Sequence, residues 1–299
     1  VLSARDVYTG RTLWKKELPH LNTFEMYYDE TYNPDPFDRS YNQVHIPGAN
    51  AYGANFVVTP ERIYLIQEEK CLIIDTETGR TLDEWTLPLD MDLGTPNWGY
   101  IGVYDDLLIA GAAPLHISRE DPQSIRQLVP GADPIEVPEA ERILPNHRFG
   151  KGSRSVVVMD RFSGRVLWSQ EAEYTFRHNT IVAGNEKLFC VDSLSDVRLS
   201  SLKRRGFKTD TQPSVIAFDI RSGDELWRDR ENVFGTWLGY STEYDVLLEG
   251  GSRAGDRARD EVGRSMAAYR GMDGEVLWQH NDEYSGPPIL YHDRIITQT

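Results

Sequence analysis

Residues 156–170, "VVVMDRFSGRVLWSQ", read as a strand, a tight turn and a second strand. An apolar run ends at Met159, Asp160 opens a polar turn, Gly164 punctuates it, and Leu167 and Trp168 begin the return strand. The layout recurs along the chain. "SARDVYTGRTLWKKE" (3–17) repeats it with Asp6, Gly10 and Trp14, and "VIAFDIRSGDELWRD" (215–229) with Asp219, Gly223 and Trp227. "LIIDTETGRTLDEWT" (72–86) keeps Asp75 and Gly79 but moves its tryptophan to Trp85. "MAAYRGMDGEVLWQH" (266–280) keeps Gly274 and Trp278 and puts Arg270 where the others carry aspartate.

Each repeated position has a physical role. Glycine tolerates the positive φ of a tight hairpin turn. The aspartate four residues earlier accepts hydrogen bonds from turn N–H groups, with Thr9, Thr78, Ser163 and Ser222 as helpers. The tryptophan places a large apolar area at one fixed point in every unit. Before each hairpin except the first lies another strand pair: "NFVVTPERIYLIQ" (55–67), "GYIGVYDDLLIAG" (99–111), "NTIVAGNEKLFCV" (179–191) and "WLGYSTEYDVLLEG" (237–250). A fifth pair, "PPILYHDRIITQ" (287–298), follows the last hairpin. Joined, these predict an all-β protein: a β-propeller of four-stranded antiparallel blades, at least five of them, forming a single domain over 1–299.

The pattern Asp-x-x-Thr/Ser-Gly-x-x-Leu-Trp resembles the repeat of the pyrroloquinoline-quinone (PQQ) β-propellers. That superfamily holds quinoprotein alcohol dehydrogenases and also a non-enzymatic outer-membrane assembly lipoprotein. The resemblance therefore speaks to fold more than to activity. It also implies a bacterial, periplasmic or otherwise extracytoplasmic setting, and an eight-bladed ring. The chain starts in the second half of a unit and stops after the first half of one. Both ends are expected to be cut points in a longer seven- or eight-bladed propeller; the alternative is a closed five-bladed ring.

The formal net charge of −15 and pI near 4.9 disfavour a nucleic-acid partner, because such a surface repels phosphate. No apolar run is long enough to span a membrane. Cys71 and Cys190 lie in different units and read as small buried residues. The vicinal cysteine pair of many quinoprotein dehydrogenases and the C-x-x-C-H haem motif are both missing. Seven scattered histidines give no metal-ligand spacing, so no metal is assigned. Neither a P-loop, a G-x-S-x-G nor an H-E-x-x-H motif occurs.

Successive repeat glycines are 69, 85, 59 and 51 residues apart, whereas a blade needs only about 40–45. The surplus falls in inserts at about 19–49, 113–153, 193–213 and 251–264. The first is rich in aromatics, and "DPQSIRQL" in the second suits a short helix capped by Asp121. The basic run 198–208 in the third reads either as a contact for an acidic partner or, as charge runs usually do, as a solvated loop.

In a propeller the loops entering each first strand crowd one mouth of the axis. Here they place Asn55, Asn97, Trp98, Arg177, His178, Asn179, Trp237 and Tyr240 together, with Asn50, Tyr52, Tyr100 and Tyr284. Convergent polar groups with aromatic walls suit a small ligand, and Arg177 an anionic one. In the plainer case these residues satisfy one another and knit the blades. The expectation is a non-catalytic binding or scaffold module with no cofactor, partnered by another protein or by further domains of the same longer chain. The alternative, a quinoprotein alcohol or sugar dehydrogenase holding PQQ and Ca²⁺, needs an axial aspartate base and a carboxylate ligand that these segments do not supply.

Overall fold

The computed structural model describes residues 1–19, 55–119, 141–144, 152–193, 212–231, 233–234, 237–251, 265–281 and 284–298. The described elements are β-strands and one 3-10 turn (His178–Thr180). The expected helix at Asp121 lies outside these residues, as do Asn50, Tyr52 and most of the inserts.

Four blades carry all four strands in simple antiparallel order. The first is β3 (Phe56–Val58), β4 (Arg62–Gln67), β5 (Lys70–Asp75) and β6 (Thr81–Thr86). The second is β7 (Trp98–Tyr104), β8 (Leu107–Arg119), β10 (Gly152–Asp160) and β11 (Val166–Arg177). The third is β12 (Val182–Gly184), β13 (Lys187–Asp192), β14 (Ser214–Asp219) and β15 (Glu225–Asp229). The fourth is β16 (Trp237–Ser241), β17 (Val246–Gly250), β18 (Met266–Arg270) and β19 (Val276–His280). The pairs β1 (Leu2–Arg5) with β2 (Thr12–Lys16) and β20 (Ser285–Tyr291) with β21 (Arg294–Gln298) stand as separate two-stranded sheets. The strand pairs expected for five units are all present, but the two half-blades are not joined into a ring.

The repeat glycines take positive φ, from 68° at Gly10 to 80° at Gly223. In every hairpin the glycine N–H reaches back to the carbonyl four residues earlier, and the strand register slips just before the turn. This is a bulge that only a residue tolerant of left-handed backbone closes cheaply. Asp160 shows the intended chemistry. Its Oδ1 accepts Ser163 N–H (2.8 Å), Ser163 O–H (2.8 Å) and Phe162 N–H (3.1 Å). Asp6 and Asp75 do likewise, whereas Asp219 accepts the N–H groups of Arg221 and Ser222 while the Ser222 hydroxyl donates to Asp224 (2.7 Å). The fifth turn keeps its glycine bond without an aspartate, and Arg270 pairs with Asp273 instead (3.0 Å).

The core is a series of slabs between blades rather than one centre. The tryptophans fill it by a rule: each lies over the turn glycine of the next unit. A Cβ on Gly79, Gly223 or Gly274 would come within 2.6, 2.6 and 2.7 Å of the rings of Trp14, Trp168 and Trp227. Those three indoles donate to the carbonyls of Thr76, Ile220 and Gly271, at 2.9, 2.8 and 2.9 Å. Only Trp168 is fully buried; Trp14, Trp227 and Trp278 are half-buried.

The displaced Trp85 obeys the rule by a different route. Asp83 takes the register position that tryptophan holds elsewhere, opposite Ile73. Trp85, two residues on, shares its face of the strand and still covers Gly164 (2.8 Å from a Cβ there). Its N–H turns to Asp83 (2.8 Å), and the carbonyl it would have served, that of Arg161, accepts Tyr64 O–H instead (2.8 Å).

One expectation needs correcting. The second insert, expected to leave the sheet at about 113, begins as strand. β8 runs on to Arg119 and pairs with β9 (Glu141–Leu144), from His116 opposite Leu144 to Arg119 opposite Glu141. Apolar and polar residues alternate from Leu115 to Ser118, so a strand period continues beyond the blade.

Candidate functional site

Antiparallel order puts the connections of each blade at two ends. First-to-second and third-to-fourth strand turns share one end, where Arg221 bridges Asp106 (3.1 Å) and Glu186 (2.7 Å) in the turns of two neighbouring blades. The opposite end carries every insert, because 17–55, 120–151, 193–213 and 251–265 all leave from second- or fourth-strand ends. Most of the expected mouth residues lie there. Asn55, Asn97, Trp98, Arg177, His178, Asn179, Trp237 and Tyr284 all sit at or just before the start of a first strand, or in the link leading to it.

Packing accounts for several of them. Trp98 is 3% exposed, inside the slab between the first two blades, and its indole N–H donates to the Glu69 carbonyl (3.2 Å). It is therefore a wall of the core and not a stacking face for a ligand. Trp237 folds back over Gly239 of its own strand, among Tyr284 and Leu248. Tyr284 is buried and donates to the Ser265 carbonyl (2.8 Å); burial pushes its phenol up to about 12. Asn97 and Asn55 serve through their carbonyls, which accept Ala113 N–H and Ile66 N–H.

Tyr240 does not belong with them. The rise of the strand carries it to the other end of β16, where its hydroxyl donates to Asp245 and accepts from Asn185 (3.0 Å) in the tight turns. Its entry segment spans the whole strand, so sequence order placed it with Trp237 while the strand rise separates them.

His178 is buried, and its Nε2 meets the buried Ser153 hydroxyl at 2.8 Å. The pair fits because two strand positions lack a side chain: a Cβ on Gly99 would lie 2.6 Å from Ser153 Oγ, and one on Gly111 2.5 Å. Tyr100 borders the pair, donating to the Ile181 carbonyl (3.2 Å), and burial pushes its phenol up to about 12. Arg177 ends β11 beside them. Glu173, the nearest candidate partner for it in sequence, is held by Arg230 (2.7 Å) and Arg228 (3.5 Å).

Sequence reading missed two buried carboxylates at this end. Asp192 closes β13 and accepts N–H bonds from Glu173 (2.6 Å), Tyr174 (2.9 Å) and Thr175 (3.0 Å). With the Phe176–Asp192 pairing it welds the second and third blades into one sheet. Burial still outweighs those bonds and raises its carboxyl above the ordinary range. Glu249, fully buried on β17, accepts Tyr269 O–H (2.7 Å) and Phe234 N–H (3.0 Å). A lone acid ending an apolar run, as in "FCVD" and "VLLEG", is the signal that could have found both. Cys71 and Cys190 are buried free thiols, Cys71 pushed up to about 12 by burial. No described helix is long and apolar enough to cross a membrane.

Residues 148–289 match the family described as outer membrane protein assembly factor BamB. No curated protein matches the chain significantly. Among solved structures, BamB from Moraxella catarrhalis is 12% identical over 81% of this chain and 56% of its own, with a TM-score of 0.43. The quinohemoprotein alcohol dehydrogenase from Comamonas testosteroni is 11% identical over 93% of this chain and 40% of its own, with a TM-score of 0.46. The chain thus spans about half, or less, of the length of these structures.

Proposed function

We propose, from the match of residues 148–289 and the repeated hairpins, that the chain is a PQQ-repeat β-propeller acting as a non-catalytic binding scaffold within a larger extracytoplasmic protein. The observation that carries the proposal is the use made of the axial aromatics. Trp98 is sealed in the wall with its N–H bonded, Trp237 lies over its own strand, and His178 and Tyr284 are buried and hydrogen-bonded within the protein. A planar quinone needs an open aromatic face, a free cationic partner and carboxylate oxygens for its Ca²⁺. Two buried carboxylates at the insert-bearing end, Asp192 and Glu249, are already committed to amide and phenol donors, which supports the scaffold reading.

Protein contact is assigned to the insert-bearing end. A rigid stack of blades presenting several long connections on one side suits recognition by loops held on a fixed frame. The test is a titration with PQQ and Ca²⁺, followed by absorbance and by dye reduction with alcohols and sugars. The expected result is no stoichiometric chromophore and no dye reduction. A bound chromophore at one per chain, with turnover, would replace the scaffold with a quinoprotein dehydrogenase.

A further inference from the structure

The last strand of the second blade is at least twice as long as its counterparts. β11 has 12 residues, whereas β6, β15 and β19 have 6, 5 and 5. It follows β10 without interruption only as far as Glu171, opposite Ser155. The register then slips, and pairing resumes with Phe176 opposite Ser153. Residues 172–175 lie in that slip, off the β10 ladder, and their backbone amides need other acceptors.

The third blade supplies them. Asp192, 1% exposed at the end of β13, takes Glu173 N–H, Tyr174 N–H and Thr175 N–H on one carboxylate. Ser193 N–H returns a bond to the Thr175 carbonyl (3.1 Å), and Phe176 pairs with Asp192 as well as with Ser153. Farther along the same seam Gln170 donates to the Gly223 carbonyl (3.0 Å), and Glu173 is paired with Arg230 (2.7 Å).

The seams on either side are built differently. Among the described residues no ladder joins β3–β6 to the second blade or β16–β19 to the third. The first of these seams is held by side chains, such as Tyr64 and Arg62 donating to the Arg161 carbonyl (2.8 and 3.3 Å), and by one loop amide, Trp98 N–H to the Glu68 carbonyl (2.8 Å). The other is held by Trp227 on the Gly271 carbonyl (2.9 Å) and by Asn185, which donates to Tyr240 and to the Thr242 carbonyl (3.0 Å each).

We propose that the slip in β11 is a staple that makes the second and third blades one rigid body, and that movement within the molecule takes place at the two seams flanking it. Packed faces slide by small shear as their side chains repack. The stapled seam cannot slide without stripping three amides and a carboxylate of their partners in a buried site. The strand ends from which 120–151 and 193–213 leave therefore keep a fixed spacing, while those bounding 251–265 belong to a body that shifts against them. The inference goes beyond the scaffold reading and does not depend on it.

The test is native-state amide exchange, followed by mass spectrometry at a series of low urea concentrations. In the unsubstituted chain the amides of β10 and β13 are expected to share one opening, with the same free energy and the same urea dependence. Leu247→Ala, in the slab between the third and fourth blades, is expected to speed exchange in β16–β18 by about tenfold or more and to leave that shared opening unchanged. Asp192→Asn keeps the size of the side chain but sets an amide donor where the carboxylate accepted. It is expected to split the shared opening, with β13 and β14 exchanging about tenfold or more faster than β10. The first two measurements leave the staple untouched, so they decide the proposal even if Asp192→Asn fails to fold. Three results would each overturn it: separate openings for β10 and β13 in the unsubstituted chain, equal acceleration of the second, third and fourth blades by Leu247→Ala, or a folded Asp192→Asn chain whose shared opening is intact.

Discussion

At the tight-turn end of the molecule every connection spans two to six residues, and the same bonds recur from blade to blade. At the insert-bearing end the connections range from two residues (68–69) to 39 (17–55), and described polar groups are satisfied by one-off partners such as Ser153 with His178 or Asp192 with three amides. The difference lies in the range of the interactions. An aspartate, a hydroxyl and a glycine within five residues solve a turn locally, so the solution can be copied. At the other end each partner comes from a different strand, and every solution depends on what its neighbours bring.

The largest effect should come from the shared seam. Trp168→Ala should cost about 3–5 kcal/mol, since its ring is buried between blades. Trp278→Ala, whose ring covers no turn glycine among the described residues, should cost far less in the 1–299 chain. Equal losses on urea denaturation would mean that the glycine seat contributes nothing.

Next come the glycines. Gly223→Ala and Gly10→Ala both pay about 1–2 kcal/mol for a side chain in the left-handed region. Only Gly223 adds the collision with Trp168, about 1–3 kcal/mol more. The gap between the two denaturation midpoints therefore isolates the seam from the turn.

At the insert-bearing end, Ser153→Ala should cost about 1 kcal/mol by removing the bond to His178. Its signature is local: faster amide exchange in 178–181 with the tight turns unchanged. Loss of protection spread evenly over all blades would contradict the independence of the two ends.

Asp160 in a tight turn and Asp192 at the insert-bearing end should also titrate with opposite signs. Turn hydroxyls and amides hold Asp160 below the ordinary carboxylate range, with the Ser163 hydroxyl the chief cause. Asp219 is lowered chiefly by the Ser222 amide. Their contribution is present above the unfolded carboxylate value and is lost as pH falls through the lowered one. Asp192 is raised by burial, so its contribution is full below the unfolded value and fades as pH rises through the raised one. Stability measured between about pH 2 and pH 6 should fall less on acidification in Asp160→Asn. In Asp192→Asn it should fall less as pH rises. Matching slopes in the two variants would refute the contrast.

The smallest effect belongs to Arg221→Gln. Its bridges to Asp106 and Glu186 are exposed, so the loss should be slight and should vanish in high salt.

How much was legible follows the same division. The Asp–Gly–Trp spacing named the hairpins and the place of a large apolar side chain in each unit, because a turn's demands are written within one segment; the bulge beside each turn came from the structure. Chain order also grouped Asn97, Trp98, Arg177, His178 and Trp237 near first-strand starts, which lie at the insert-bearing end. It did not say that Trp98 faces the core, since a tryptophan at a strand start serves a wall or a ligand equally well until its neighbours are placed. Tyr240 was misplaced because a strand of five residues carries its last side chains far from its first.

Chain order alone thus determined an all-β repeat of four-stranded units, the acidic surface and the positions where long connections interrupt the repeat. Tertiary structure decided the rest. It set Trp85 over Gly164 although Asp83 holds the tryptophan position, and turned Tyr64 to the Arg161 carbonyl that no indole reached. It also buried Asp192 and Glu249 where separate segments could supply donors. The physical reason is that a hydrogen bond or ring contact across a seam joins residues 50–100 positions apart. No local pattern encodes which of several equivalent groups will arrive at a seam; only the stacked blades bring them together.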